Sequence, residues 1–323
     1  MSRPESLRAL ATELGAALRA EVAPHLGGQA GRAHAGAAPG GDVTFEIDER
    51  AEALLERFLA ERAPEVAFYS EDRGLVSPSD RAEWVLVVDP IDGTRPAMAG
   101  LEAACVSVAA APLAPDYLPG DGGGSNPGPT MGDVQTACVV EIKSGRTFIA
   151  DRGKGLDPAP ALSTNTDVSR MFWAYGLRGR PMRAIAEVVG DLIDASSVGG
   201  GTFDLGSASF DLTRIATGQL DAYVEPGPRI VTEVPGMREE FERVGGGAVL
   251  NNSPYDLAAA ALIVEEAGGV VTDARGGSLS ERPVLGSGAE YQLSCVAAAT
   301  PELHEAIVRE LDAGVQRLIE KVG

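Results

Sequence analysis

The chain has 323 residues, 44% of them hydrophobic, with 27 lysines and arginines against 47 aspartates and glutamates, a net charge of −20. That content is globular, and the length suits one large two-lobed domain or two domains. So acidic a surface disfavours nucleic acid and anionic membranes as partners.

In chain order, Leu7, Leu10, Leu14 and Leu18 recur three and four apart and predict an amphipathic helix over residues 5–22. Residues 27–41 are rich in glycine and alanine and read as a loop. Ala51, Leu54, Leu55, Phe58 and Leu59 form the apolar face of a second helix, and Pro64 marks its end. Short apolar runs follow as strands: VAFYS, WVLVVD and CVSVAAA. QTACVVEI and RTFIAD, joined by Lys143, Ser144 and Gly145, predict a β-hairpin. Between these runs, residues 114–133 have the composition of a surface insertion.

RMFWAYG reads as a strand, residues 183–193 have helical spacing, and ASFDLTRIATG is a helix stopped by Gly218. LDAYVE is a strand, and YDLAAAALIVEEAGG is a buried helix ending at Gly268. GVVTD and YQLSCVAAA are strands. Pro301 opens a last helix with Leu303, Ile307, Leu311 and Leu318 on one face. This order predicts layered α and β elements, not a regularly alternating wound sheet. Cys105, Cys138 and Cys295 lie in apolar runs without metal-type spacing, so buried thiols in a reducing compartment are expected. The N-terminus lacks an apolar signal segment and no run reaches about 18 uncharged apolar residues, which predicts a cytoplasmic protein without a membrane span.

The stretch VLVVDPIDGT, residues 85–94, drives a buried strand into Asp89 and Asp92, three apart. Two nearby carboxylates repel unless a proton or a metal lies between them. Pro90 stiffens the turn, and Gly93 lets the backbone approach a ligand closely. The two aspartates and the Ile91 carbonyl are hard oxygen donors of the kind Mg²⁺ takes. An ordinary polar turn after a strand is the competing reading. Other acids stand near apolar runs. Glu71 and Asp72 end one in YSEDRG, while Asp256 and Asp48 open helices, where a cap is the plain explanation.

Taken together and in order, FYSED, WVLVVDPIDGT and YDLAAAALIVEEAGG resemble the inositol monophosphatase-like family, which includes inositol monophosphatases, many fructose-1,6-bisphosphatases and 3′-phosphoadenosine 5′-phosphate phosphatases. The TFEIDERAE run is similar to archaeal-type members, some of which act on both inositol phosphates and fructose bisphosphate. The resemblance runs from about Val43 to the C-terminus. It implies an α+β fold, a layered αβαβα sandwich, working as a homodimer. It implies that Glu71, Asp89 and the Ile91 carbonyl hold a first Mg²⁺, and that Asp89, Asp92 and Asp256 hold a second. A third ion would be reached from Glu71 through water. Thr94 with Asp48 would orient the attacking water, and Gly93 and Thr94 amides would receive phosphate oxygens. Ala208 and Glu225 would touch the non-phosphate part of the substrate.

The expected activity is therefore Mg²⁺-dependent hydrolysis of a small sugar or cyclitol phosphomonoester. Inositol 1-phosphate ranks first, fructose 1,6-bisphosphate second and 3′-phosphoadenosine 5′-phosphate third. Mg²⁺ fits the charge problem, because a phosphate near several carboxylates is repelled by roughly 4 kcal/mol per close pair at an effective dielectric of ~20. The expected lobes are residues 1–190, carrying most metal ligands, and residues 191–323, carrying Asp256 and the substrate contacts.

The chain departs from the family pattern in two places. Arg95, Pro96 and Ala97 follow the threonine, and residues 226–254 form an insertion between Glu225 and Asp256. Its Arg229, Arg238 and Arg243 are candidates to bind a second anionic group of the substrate, against a plain surface or subunit-contact segment. Other chemistries lack support: His25, His34 and His304 form no zinc spacing, and Walker, nucleophile-elbow and dinucleotide-binding motifs are absent. A Mg²⁺ or phospholigand binder without turnover is the rival from another class, followed by a structural subunit. The full set of acids with Thr94 weighs against both.

Overall fold

The computed structural model describes residues 3–28, 34–39, 41, 43–77, 82–114, 117 and 128–323. Helices α1 (Arg3–Val22) and α2 (Glu46–Arg62) cover one face of a six-stranded sheet. That sheet contains β3 (Ala67–Ser70), β4 (Gly74–Val76), β5 (Trp84–Asp92), β6 (Cys105–Pro112), β7 (Thr136–Glu141) and β8 (Thr147–Asp151), ordered β4-β3-β5-β6-β7-β8. β3 and β5 are parallel and the other pairs antiparallel, including the predicted β7–β8 hairpin.

Both faces of this sheet are buried. Val85 and Val87 join one apolar cluster, while Leu86 and Val88 join another. With apolar neighbours on each side the strand reads as an unbroken hydrophobic run rather than an alternation.

The second sheet is five-stranded: β9 (Phe172–Tyr175), β10 (Gly201–Phe203), β11 (Ala222–Glu225), β12 (Val270–Thr272) and β13 (Cys295–Ala298), ordered β10-β9-β11-β13-β12. Helices α4 (Met182–Ser196) and α9 (Pro301–Val322) cover its outer face. Between the two sheets lie α5 (Ala208–Ala216) and α8 (Pro254–Glu266). Ten of the 13 residues of α8 are buried, and its run of four alanines lets the sheets approach closely. The result is the expected α+β stack of α, β, α, β and α layers.

The chain passes from the first sheet to the second between Asp151 and Phe172. β9 and the start of α4 belong with the second sheet, although the expected boundary at residue 190 put them in the first lobe. Residues 34–37 were expected to be loop, yet they form β1 (His34–Ala37), paired antiparallel with β2 (Val43–Phe45). Glycine and alanine give such a strand no hydrophobic signature. Residues 29–33 and 40 of that loop, and most of the insertion at 114–133, lie outside the described residues. The segment after Glu225 contains two short helices, α6 (Gly227–Glu233) and α7 (Met237–Val244). No helix among the described residues is long and apolar enough to cross a membrane, and the three cysteines are buried and unpaired.

Candidate active site

A bulge places the two aspartates. Asp89 pairs with Ser107 and Asp92 with Cys105, so three steps on β5 match two on β6. In a regular strand, residues three apart point to opposite faces. One extra residue restores the phase and turns Asp89 and Asp92 to the same side. Pro90 sits inside this irregular turn, where its missing N–H breaks no ladder bond. Gly93 follows with φ 91°, and a Cβ there would stand 2.6 Å from the Ala103 carbonyl oxygen. Only glycine fits, and helix α3 (Thr94–Ala99) starts directly after it.

Asp256 arrives on the first turn of α8. Ser253 N donates to its Oδ2 at 2.5 Å, closing a capping box with Pro254 at the first helical position. Two hydroxyls pin this end of α8: Ser209 Oγ donates to the Asp256 carbonyl at 2.9 Å and Ser107 Oγ to the Tyr255 carbonyl at 3.2 Å. The cap is real, and the same carboxyl group also joins Asp89 and Asp92. One oxygen from each of the three lies within 4.8 Å of the others.

Asp89 is 2% and Asp92 6% exposed. Burial pushes the Asp89 carboxyl well above the usual range, and the charges of Glu71, Asp92 and Asp256 push it further. Burial also raises Asp92, although Ser209 N donates to its Oδ2 at 2.6 Å. Asp256 is raised to about 7, first by burial and then by the Asp92 charge. Three such acids cannot all ionise without a cation among them. An all-oxygen donor set of this kind fits Mg²⁺ or Mn²⁺.

The three acids open into a cleft. Glu71, Ile91, Gly93, Thr94 and Ala208 line it together with them. Asp48 stands behind Thr94. Thr94 Oγ1 lies 3.0 Å from Asp48 Oδ1 and 3.1 Å from the Ile91 carbonyl oxygen. A hydroxyl has one hydrogen, so it serves Asp48 when that carbonyl is engaged elsewhere.

Glu225 is placed differently from the expectation of a substrate contact. It is fully buried and does not line the cleft. Arg180 Nε donates to its Oε1 at 3.1 Å, Arg180 Nη2 to its Oε2, and Gly227 N to Oε1 at 2.8 Å.

The three arginines of the insertion also lie elsewhere. Arg229 is 7% exposed, donates to the Ala274 carbonyl at 2.8 Å and pairs with Asp312 at 2.6 Å. Arg238 and Arg243 pair with Glu242 and Glu240 on their own helix. The insertion reaches the cleft only at its end, through Asn251 and Asn252. The arginines that do line it are Arg95, Arg178 and Arg180. Arg95 is exposed and also stacks over the Phe45 ring at 5.6 Å. Sequence reasoning missed Arg178 and Arg180; the only available signal was the glycine-flanked pair in GLRGRP.

The description "inositol monophosphatase family" matches residues 3–120 and 128–316. A protein of Methanothermobacter thermautotrophicus named fructose-1,6-bisphosphatase/inositol-1-monophosphatase is 29% identical over 281 residues, covering 84% of each chain. A protein of Neisseria meningitidis named putative Nus factor SuhB is 26% identical over 238 residues, covering 73% of this chain and 75% of the other. The solved structure of the Thermotoga maritima IMPase superposes with a TM-score of 0.65 at 20% identity, covering 98% of this chain and all of that one. The chain belongs to the inositol monophosphatase family.

Proposed function

We propose that the protein is a Mg²⁺-dependent phosphomonoesterase of small sugar or cyclitol phosphates. The observation that carries this reading is the convergence of Asp89, Asp92 and Asp256 within 4.8 Å at the mouth of β5. Glu71, Asp89 and the Ile91 carbonyl would hold one ion, and Asp89, Asp92 and Asp256 another. Mg²⁺ held there would neutralise the phosphate, supply a water acidified toward neutral pH and stabilise the departing oxygen.

The rest falls to the chain's own groups. Thr94 Oγ1, with its hydrogen directed to Asp48, turns a lone pair toward a water in the cleft and fixes its direction of attack. Asp48 holds that hydroxyl in one rotamer. The backbone at Gly93 and Thr94 receives phosphate oxygens, and the small Ala208 leaves room for the organic portion. Phosphoryl transfer asks chiefly for in-line positioning and charge neutralisation, so no protein nucleophile is needed.

Inositol 1-phosphate and fructose 1,6-bisphosphate are the first substrates to try, since the methanogen relative carries both activities in its name. The buried unpaired cysteines suit a reducing compartment, and we place the protein in the cytoplasm as a homodimer. Phosphate release is measured from these compounds and 3′-phosphoadenosine 5′-phosphate, with and without Mg²⁺, for the wild type and Asp92→Asn. Release that needs Mg²⁺ and is lost in the variant supports the assignment. Release indifferent to both rules it out.

A further inference from the structure

Glu71 stands on a short support. Residues 71–73 alone join β3 to β4. The Glu71 charge pushes the Asp89 carboxyl upward, so the two groups repel each other across the cleft. A turn carrying such a group needs to be held in place from behind.

The hold comes from α2. Glu49, Glu52 and Glu56 lie three and four apart on one face of that helix, and all three reach the turn. Arg73 donates from Nη2 to Glu49 Oε2 at 2.9 Å and from Nε to Glu56 Oε1 at 2.8 Å. Both glutamates are exposed, and pairs of this kind stabilise little. Glu52 is different, being 1% exposed. Its Oε2 accepts from Ser70 Oγ at 2.8 Å and its Oε1 from Asp72 N at 3.2 Å, so one carboxyl group grips the residues before and after Glu71. Ser70 Oγ also accepts from Arg73 N at 3.4 Å, which closes the turn on itself. From β2, Thr44 Oγ1 donates to Asp72 Oδ1 at 2.6 Å.

The other buried residues of α2, Ile47, Ala51, Leu55 and Leu59, are apolar. A buried carboxyl group among them costs free energy that another apolar side chain would not. Glu52 is absent from the lining of the cleft, so any effect on the chemistry passes through the turn. The same helix carries Asp48 four residues earlier, against Thr94. One rigid element thus sets both the Glu71 turn and the Thr94 hydroxyl.

We propose that Glu52 is a positioning residue, which fixes the Glu71 carboxylate in place for the ion that Glu71 would hold. This rests on the metal-dependent phosphatase reading of the cleft and adds to it the group that keeps one ligand in register.

The test is a Mn²⁺ titration of the substrate-free protein followed by electron paramagnetic resonance, with thermal melts to check folding. Glu52→Ala should bind the ion about 10- to 100-fold more weakly, the loss usual when the partner behind a ligand is removed. Glu52→Gln should recover most of the affinity, because its amide can accept from Asp72 N and donate to Ser70 Oγ. In a Glu71→Gln background Glu52→Ala should add no further loss, since its route runs through Glu71. Leu55→Ala, a core change on the same helix, should lower the melting temperature and keep wild-type Mn²⁺ affinity. If Glu52→Ala does not fold, Ser70→Ala takes its place, with a smaller loss that again vanishes beside Glu71→Gln. Wild-type affinity in Glu52→Ala and in Ser70→Ala overturns the proposal. So does a loss of the same size with and without Glu71, and so does an equal loss in Leu55→Ala. In those cases the metal reading stands. A wild type that binds no Mn²⁺ overturns both.

Discussion

Asp48 works in two directions at once: Phe45 N donates to its Oδ2 at 2.8 Å, and Thr94 Oγ1 lies 3.0 Å from its Oδ1. One oxygen caps α2 and the other accepts from Thr94, which lines the cleft, so removing the whole group and removing its charge have different consequences. Asp48→Ala should cost about 1 kcal/mol in a urea titration, the usual worth of a cap. Asp48→Asn can keep the cap with its one carbonyl oxygen and should cost less. Both should lower turnover by about 100-fold or more, because neither presents a carboxylate to Thr94. Wild-type turnover in Asp48→Asn would remove Asp48 from the chemistry and leave it a cap.

Asp92 provides a test of the metal seat that does not need a substrate. In Mg²⁺-free buffer near pH 8 the three clustered acids repel, and Asp92→Asn should melt above the wild type. Its amide oxygen can still accept Ser209 N, which donates to Asp92 Oδ2 at 2.6 Å. Adding Mg²⁺ to about 100 times its dissociation constant should stabilise the wild type by about 2.7 kcal/mol and the variant much less. Turnover in the variant should fall at least about 100-fold, the upper range for losses one shell further out. Equal Mg²⁺ shifts in the two proteins would place the ion elsewhere.

The part of the site legible in the sequence is the part built by local rules. A buried run ending in two acids and a glycine, and acids three residues into a helix, leave marks within a few positions. Asp48 and Asp256 each cap a helix with one carboxyl oxygen, and the same carboxyl groups also stand against Thr94 and beside Asp89 and Asp92, because one carboxyl group has two oxygens. Arg180 and Glu225 are 45 residues apart, and neither neighbourhood announces the other. Arg229, Arg238 and Arg243 looked attractive because they lie between two site residues. Closeness in sequence says nothing about facing, and each found acids on its own helix, with Arg229 also reaching α9. β4 and β10, three residues each, are too short to show a period of two.

Glu52 predicts a pH dependence of stability. It is 1% exposed and accepts Ser70 Oγ at 2.8 Å and Asp72 N at 3.2 Å, the residues on either side of Glu71. Burial raises its carboxyl from 4.5 to about 7, although the bonds from Ser70 and Asp72 and the Arg73 charge oppose the rise. Between those values the folded chain keeps a proton that the unfolded chain has released. Stability from this group is therefore greatest at low pH, falls as pH rises from about 4.5 to about 7, and is level above. The whole effect is at most about 3 kcal/mol. Unfolding free energies of Glu52→Gln and wild type should diverge in favour of the variant as pH rises through that window. A difference independent of pH would mean that the carboxyl titrates normally.

The Arg180–Glu225 pair makes the last prediction, because burial makes its halves unequal to their sum. Arg180→Met leaves the Glu225 carboxylate in the interior with only Gly227 N, 2.8 Å away, to solvate it. Removing one partner of a buried pair costs about 3–5 kcal/mol, whereas replacing both is often close to neutral. Glu225→Gln alone strands the Arg180 charge in the same way. The double variant Arg180→Met/Glu225→Gln should thus be more stable than either single variant in urea titrations. Single variants costing under about 1 kcal/mol each would show that solvent reaches the pair.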